Sequence, residues 1–237
     1  MKQGHFPEWL HRKLPASTAL SQTRLSIAKN RLHTVCEEAK CPNLMECYSK
    51  KTATFLIMGK GCTRACPFCD IDFSKKPVAL DENEPINVAN SVLELGLKHV
   101  VITMVARDDL SDGGADHLIK VMQAVRSTCP KTTLEVLTSD FQGNIAALDC
   151  VLHQRPEIFN HNIETVRRLT PKVRHTATYE RSLSLLEHAK KRNAKQLVKS
   201  GLMVGLGEEK EEIFETLHDL KKNGCDIVTI GQYLKPS

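Results

Sequence analysis

At 237 residues, with 41% hydrophobic and 26% charged residues, the chain is long enough for one large α/β domain with a sizeable core, and its composition is that of an ordinary soluble protein. No apolar run approaches the roughly 18 residues of a membrane span, and the opening Met1-Lys-Gln-Gly-His-Phe-Pro-Glu-Trp9 lacks the apolar core of a secretory signal and the Ser- and Arg-rich character of a transit helix, so a cytoplasmic protein is expected and a membrane association is not. The formal net charge of +5 comes mostly from dispersed lysines and arginines, concentrated at 172–174 and 190–199, and no aromatic residues interleave with them to stack bases, which argues against nucleic acid.

Residues 1–50 are polar, carry Pro7, Pro15 and Pro42, and show little sustained periodicity. They read as an N-terminal extension, 1–52, wrapped over the main domain and shaped by cysteines rather than by a core. Those cysteines are Cys36, Cys41 and Cys47, spaced C-x4-C-x5-C. From residue 53 to 237, short β-branched runs alternate with amphipathic ones. Strands are predicted near 53–58, 98–103, 132–138, 157–163, 197–204 and 226–232, and helices near 86–95, 115–127, 144–153, 180–193 and 208–223. Pro85 opens the first helix, Gly96 closes it, and Gly224 follows the last. Between the first strand and the first helix lies a second triplet, Cys62, Cys66 and Cys69, spaced C-x3-C-x2-C.

Strand and helix alternating through right-handed crossovers give a parallel sheet, and six such units give a partial (β/α)6 TIM-like barrel. In barrels the chemistry sits at the C-terminal ends of the strands. That rule selects Cys62, Cys66 and Cys69 after the first strand, Thr103 and the residues to Asp109 after the second, Asn162 and Glu164 at the end of the fourth, and 205–208 after the fifth.

Nine cysteines is an odd number, and metal-held thiols in a reducing compartment fit better than a disulfide framework. A four-iron cluster is normally held by four thiolates, so three leave one iron for another ligand. Spacing alone also permits a zinc site at either triplet, or a redox pair at Cys66-Pro-Phe-Cys69. Cys129, Cys150 and Cys225 lack ligand spacing and read as small buried hydrophobes. His33 and His161 are assigned packing or hydrogen-bonding roles, and no G-x-S-x-G, Walker A or G-x-G-x-x-G stretch supports hydrolase or nucleotide-triphosphate chemistry.

The stretch Cys62-Thr-Arg-Ala-Cys66-Pro-Phe-Cys69 is the signature of radical S-adenosylmethionine enzymes. Taken with Cys36-Glu-Glu-Ala-Lys-Cys41-Pro-Asn-Leu-Met-Glu-Cys47, Ala53-Thr54-Phe55, Arg107-Asp108-Asp109-Leu110, Asp112-Gly113-Gly114, Phe159-Asn160-His161-Asn162, Ser200-Gly201-Leu-Met-Val-Gly205-Leu-Gly-Glu208 and Gly231-Gln-Tyr-Leu234, the chain resembles the lipoyl synthase family from about residue 30 onward. The resemblance implies two [4Fe–4S] clusters. One, on Cys62, Cys66 and Cys69, binds S-adenosyl-L-methionine and cleaves it to a 5′-deoxyadenosyl radical; the other, on Cys36, Cys41 and Cys47, is the sulfur source. The implied product is a lipoyl group, made by inserting two sulfurs at C6 and C8 of an octanoyl chain on a protein lysine. Implied partners are an octanoylated lipoyl carrier protein or dehydrogenase-complex domain, for which the basic runs could be a docking surface or a solvated face, and a reductant such as flavodoxin or ferredoxin. Another two-cluster radical enzyme, or an inactive iron–sulfur or zinc scaffold, are the alternatives.

By the same resemblance Phe68 lies beside the adenine, Gly205 and Glu208 belong to a stretch packed along it, and Asn162 and Glu164 meet ribose hydroxyls or the methionine amino group. Each also has a structural reading: packing for Phe68, a tight turn for Gly205, a helix start for Glu208, a hydrogen-bonded strand end for Asn162 and Glu164. The sequence departs from the family at Met104-Val105-Ala106, in place of Ser-Val-Asp, and at Ser139-Asp140-Phe141-Gln142-Gly143, in place of Pro-Asp-Phe-Arg-Gly. The family also continues to an Arg-Ser-Ser-Tyr segment whose serine ligates the auxiliary cluster; Ser237 does not match that serine.

Overall fold

The computed structural model describes residues 17–50, 52–71 and 76–235; Ser237 and the first part of the expected extension lie outside the described residues. Helix α1 (Ser17–Lys29), strand β1 (His33–Thr34) and the short helices α2 (Val35–Glu38) and α3 (Leu44–Ser49) precede the barrel. The barrel strands are β2 (Thr54–Ile57), β3 (His99–Met104), β4 (Thr133–Leu137), β5 (Ile158–Asn160), β6 (Leu197–Val204) and β7 (Ile227–Gln232). Between them run α4 (Glu84–Leu95), α5 (Ala115–Thr128), α6 (Ile145–His153), α7 (Thr170–Val173), α8 (Tyr179–Arg192) and α9 (Lys210–Lys222).

All seven strands form one sheet in sequence order. From β2 to β7 every neighbouring pair is parallel, as expected of six β/α units. The strand the sequence reading lacked is β1, which pairs antiparallel with β2, His33 opposite Leu56 and Thr34 opposite Phe55.

Period-2 alternation sorts the side chains between two faces. Val100, Ile102, Leu134, Val136, Phe159 and Val198 are completely buried in the main core. On the opposite face three neighbouring strands carry polar groups: the Glu135 carboxylate accepts from Lys199 Nζ at 2.8 Å and from Asn160 Nδ2 at 2.9 Å. Local signals set the helix ends. Pro85 lies in the first turn of α4, and Gly96, at φ 63°, ends it in the left-handed conformation that glycine adopts without strain. Helix α9 starts at a capping box between Glu209 and Glu212.

The expectation that cysteines rather than a core shape the extension is corrected. Ile27, Leu32 and Tyr48 belong to the same buried cluster as the barrel strands. Thr23 Oγ1 donates to the Tyr48 carbonyl at 2.9 Å, and Thr34 Oγ1 stands 2.6 Å from the Tyr48 hydroxyl. Ser26 of α1 and Asn30 just after it hydrogen-bond to Ser91 and Glu94 of α4. Apolar burial and a satisfied polar seam hold α1 to the barrel's first helix.

Candidate active site at the barrel mouth

The second cysteine triplet leaves the end of β2 through a tightly fixed turn. Met58 is buried at φ 70°, its N–H donates to Glu84 Oε2 at 2.9 Å, and that same oxygen lies 2.6 Å from His117 Nε2. Gly114 makes room: a Cβ there would fall 2.5 Å from Met58 Sδ. The loop then runs beside the segment after β3. Thr63 donates through both its N–H and its hydroxyl to the Ala106 carbonyl, at 3.1 and 2.9 Å, and accepts the Asp108 N–H at 3.1 Å. Ala106, where the resemblance would place an acid, thus contributes only its backbone.

Cys62, Cys66 and Cys69 are unpaired, half-buried thiols. Burial pushes the Cys66 thiol up, with Arg174 and Arg64 acting in the opposite sense, and burial pushes Cys69 up to about 11. Metal binding would displace those protons, and the Arg174 and Arg64 guanidinium groups offset part of the cost that burial sets on the Cys66 thiolate. Among the described residues no group of three or more His, Cys, Asp or Glu side chains could hold a single metal ion. Three soft sulfur donors on one short loop are the ligand type of an iron–sulfur cluster, which takes one thiolate on each of separate irons.

Opposite this loop stand the ends of β5 and β6. Strand β5 stops at Asn160, short of the predicted 163: the Ile163 N–H donates to Ser200 Oγ rather than to a strand carbonyl, and Glu164, at φ 67°, makes one isolated bridge to Leu202. Glu164 is half-buried, and burial pushes its carboxyl up against the opposing influence of Arg174 and Asn162. Buried Arg174 donates to the Asn162 carbonyl at 2.8 Å and to Ser182 Oγ at 3.1 Å. Gly201 faces Asn162 so closely that a Cβ would fall 2.8 Å from Asn162 Oδ1 and 2.9 Å from Thr229 Oγ1. The turn after β6 has Gly205 at φ 105°, and the Glu208 carboxylate accepts the N–H groups of Gly205 and Leu206. Burial would raise the Glu208 pKa, but those backbone donors hold it below the usual range. Phe68 and Leu206 both pack on Val166, Leu169 and Val173, so one small apolar cluster joins the cysteine loop to the β6 turn.

An ion-pair chain crosses the floor of the mouth. Arg64 meets both oxygens of Asp108 at 2.7 Å and Asp140 at 2.6 Å, and the other Asp140 oxygen accepts from Arg181 at 2.9 Å. Asp140 is fully buried; burial alone would raise its pKa, but Arg64 and Arg181 hold it down at about 2. A folded-state pKa below the ordinary 3.8 means stability that is present above about pH 4 and lost as pH falls through about 2. Between pH 5 and 2.5 the native chain should therefore lose roughly 1–2 kcal/mol more than Asp140→Asn, measured by urea unfolding at each pH. Equal losses would show that the pairing adds nothing. Gln142 sits where the resemblance would place an arginine and donates instead to the Asp108 carbonyl at 3.2 Å.

The segment of the first triplet is tied to the loop of the second. Glu38 pairs with Lys60 at 2.8 Å and Lys40 with Asp70 at 3.3 Å, so two ion pairs join the segment of Cys36, Cys41 and Cys47 to the loop of Cys62, Cys66 and Cys69. Burial pushes the Cys36 and Cys47 thiols up.

The pattern of the radical SAM superfamily matches residues 56–231. A lipoyl synthase of Protochlamydia amoebophila is 68% identical over 236 residues, covering 99% of this chain and 73% of that protein. The chain belongs to the lipoyl synthase family. A lipoyl synthase of Chlamydia trachomatis serovar L2 is 54% identical over 98% of the chain and 75% of its own length. Among solved structures, methylornithine synthase aligns at a TM-score of 0.62 with 17% identity, over 93% of this chain and 64% of that one, and the hydrogenase maturase HydG at 0.61 with 13% identity, over 92% and 55%. These two likenesses concern the fold.

As a lipoyl synthase the chain is a radical S-adenosylmethionine sulfurtransferase, and membership implies a [4Fe–4S] cluster, S-adenosylmethionine, an octanoylated substrate protein and a reductant. One other expectation changes. Cys150 is exposed, because α6 buries Ala147, Leu148, Val151 and Leu152 and turns position 150 outward. Within the basic run at 190–199, Lys190 pairs with Asp226, Lys191 with Glu187, Arg192 with Asp149 and Lys199 with Glu135. Thr103, at the mouth end of β3, is buried and donates its hydroxyl to the Leu137 carbonyl at 3.1 Å. His161 is buried between the Thr138 carbonyl and Ser182, as a packing histidine should be. No helix among the described residues is long and apolar enough to cross a membrane.

The residues the sequence reading missed are Arg64, Asp140 and Arg174. Arg64 stood inside a quoted motif, but nothing in its spacing points to partners at 108 and 140.

Proposed function

We propose that Cys62, Cys66 and Cys69 hold the [4Fe–4S] cluster that binds S-adenosylmethionine, and that Cys36, Cys41 and Cys47 hold an auxiliary cluster supplying the two sulfurs inserted at C6 and C8 of a lysine-bound octanoyl group. One observation supports this reading: the segments that carry the two triplets are neighbours, joined by the Glu38–Lys60 and Lys40–Asp70 pairs. When bound, the cluster and S-adenosylmethionine supply a primary alkyl radical able to take hydrogen from an unactivated methylene, which no protein acid or base can do.

The chain's own groups bind, orient and exclude. The Glu164 carboxylate suits the methionine ammonium, the Asn162 amide suits ribose hydroxyls, and Phe68 and Leu206 give an apolar wall for the adenine. Gly201 lets the backbone of β6 lie close to Asn162. Thr103, Gly205 and Glu208 keep this wall in shape through the contacts described, rather than through free polar groups. The substrate is an octanoylated lipoyl carrier protein or dehydrogenase-complex domain, the reductant a flavodoxin or ferredoxin, and the compartment a reducing cytoplasm, where nine free cysteines persist. Anaerobically loaded protein should carry about eight irons and eight sulfides and convert an octanoyl-lysine peptide to lipoyl-lysine. About four irons, with 5′-deoxyadenosine but no thiolated peptide, would remove the auxiliary cluster from this reading.

A further inference from the structure

We infer that Arg64 is the positioning residue of the Cys62–Cys69 loop, a forked anchor that ties the middle of the loop to the ends of β3 and β4 and so fixes where its thiols stand. The inference rests on the reading that this triplet holds a cluster.

Arg64 is two residues from each of Cys62 and Cys66, and its side chain is only 6% exposed. Its backbone N–H donates to Cys62 Sγ at 3.4 Å, so its placement bears directly on a thiol. Nε and Nη2 engage the two Asp108 oxygens side by side, while Nη2 also meets Asp140. A planar guanidinium makes such a fork; an ammonium offers a single point of charge and cannot hold two carboxylates in fixed directions. Asp140 is itself over-determined. Its second oxygen is held by Arg181, and the residues after it, buried Phe141 at φ 45° and Gln142 at φ 54°, are both left-handed, an unfavourable conformation for side-chain-bearing residues that persists only where the surroundings enforce it. The corner after β4 therefore presents a rigid carboxylate to Arg64, and the loop carrying the cysteines is fastened to that corner rather than to solvent.

The test uses the full chain with Cys36, Cys41 and Cys47 replaced by alanine, so that any bound iron belongs to the second triplet. Into this parent go Arg64→Lys, Asp108→Asn and the two together. Iron loss to a chelator is followed anaerobically after reconstitution, and the melting temperature of the iron-free protein is measured separately. The parent should keep about four irons. Each single variant should lose iron about tenfold faster, and the double variant no more than about threefold faster than the worse single, since both break one fork. Iron-free melting should not rank the variants in the same order. A parent without bound iron would defeat the cluster reading itself. If the parent holds iron, an Arg64→Lys or Asp108→Asn half-life within twofold of the parent overturns the inference, as does a double variant whose losses multiply. Should Arg64→Lys fail to fold, Asp108→Asn, whose carboxylate is partly exposed, decides alone.

Discussion

Alanine at Cys62, Cys66 or Cys69 should abolish 5′-deoxyadenosine formation, a fall of at least about a thousandfold, or ~4 kcal/mol of barrier. Alanine at Cys36, Cys41 or Cys47 should leave cleavage within roughly tenfold of wild type while ending lipoyl formation. The asymmetry follows from where the thiols sit. The second triplet lies on the β2 loop facing Asn162 and Glu164, whereas the first lies on α2, α3 and the turn between them, with a hydrogen-bonded core around Tyr48 and contact to the second loop through Glu38–Lys60 and Lys40–Asp70. Losing a first-triplet thiol therefore leaves intact the contacts of Met58, Glu84 and Gly114 that hold the turn carrying the second triplet. Quantifying both products from an octanoyl-lysine peptide separates the roles, and a first-triplet variant that still makes lipoyl at wild-type yield would defeat the division of labour.

Gly201→Ala should weaken S-adenosylmethionine binding roughly tenfold, about 1.4 kcal/mol, without changing iron content. One added methyl group would lie 2.8 Å from Asn162 Oδ1 and 2.9 Å from Thr229 Oγ1, so the Asn162 amide must move. The backbone at Gly201 is outside the left-handed region, and the substitution tests space rather than strain. Gly205 is the poorer probe: at φ 105° any side chain strains the turn, and a Cβ would also approach Gln232 Nε2 at 3.0 Å. Equilibrium dialysis on the oxidised, cluster-loaded variant gives the affinity. A Kd within twofold of wild type would mean that Asn162 does not touch the ligand.

The barrel was legible because its strands are short, β-branched runs such as Val100-Val-Ile-Thr103 and its helices end at Gly96 and Gly224. The N-terminal segment was not. Helix α1 is mostly polar and packs through a few apolar side chains, among them Ile27, and through hydrogen bonds to α4, which are tertiary contacts that no local period announces. Strand β1 is two residues long and α7 four, too short to show a period at all. At the site, the cysteines declared themselves by spacing, and the end-of-strand rule found Asn162 and Glu164. Arg64 with Asp140, and Arg174 with Asn162, meet only after folding. The outward turn of Cys150 could have been read from the helical period, since positions 147, 148, 151 and 152 already form the buried stripe.

The turn that releases the cysteine loop also limits how this sequence can drift. Met58, Glu84 and Gly114 come from three separate elements, yet Met58 in its left-handed backbone needs the Glu84 carboxylate for its N–H and the bare Cα of Gly114 for its sulfur. None of the three can change freely alone. A side chain at 114 meets Met58, a smaller residue at 58 leaves a gap beneath the loop, and loss of the acid at 84 strands both an N–H and His117. Across divergent relatives position 114, at φ 89° and with no room for a Cβ, should stay glycine wherever methionine and an acid hold 58 and 84.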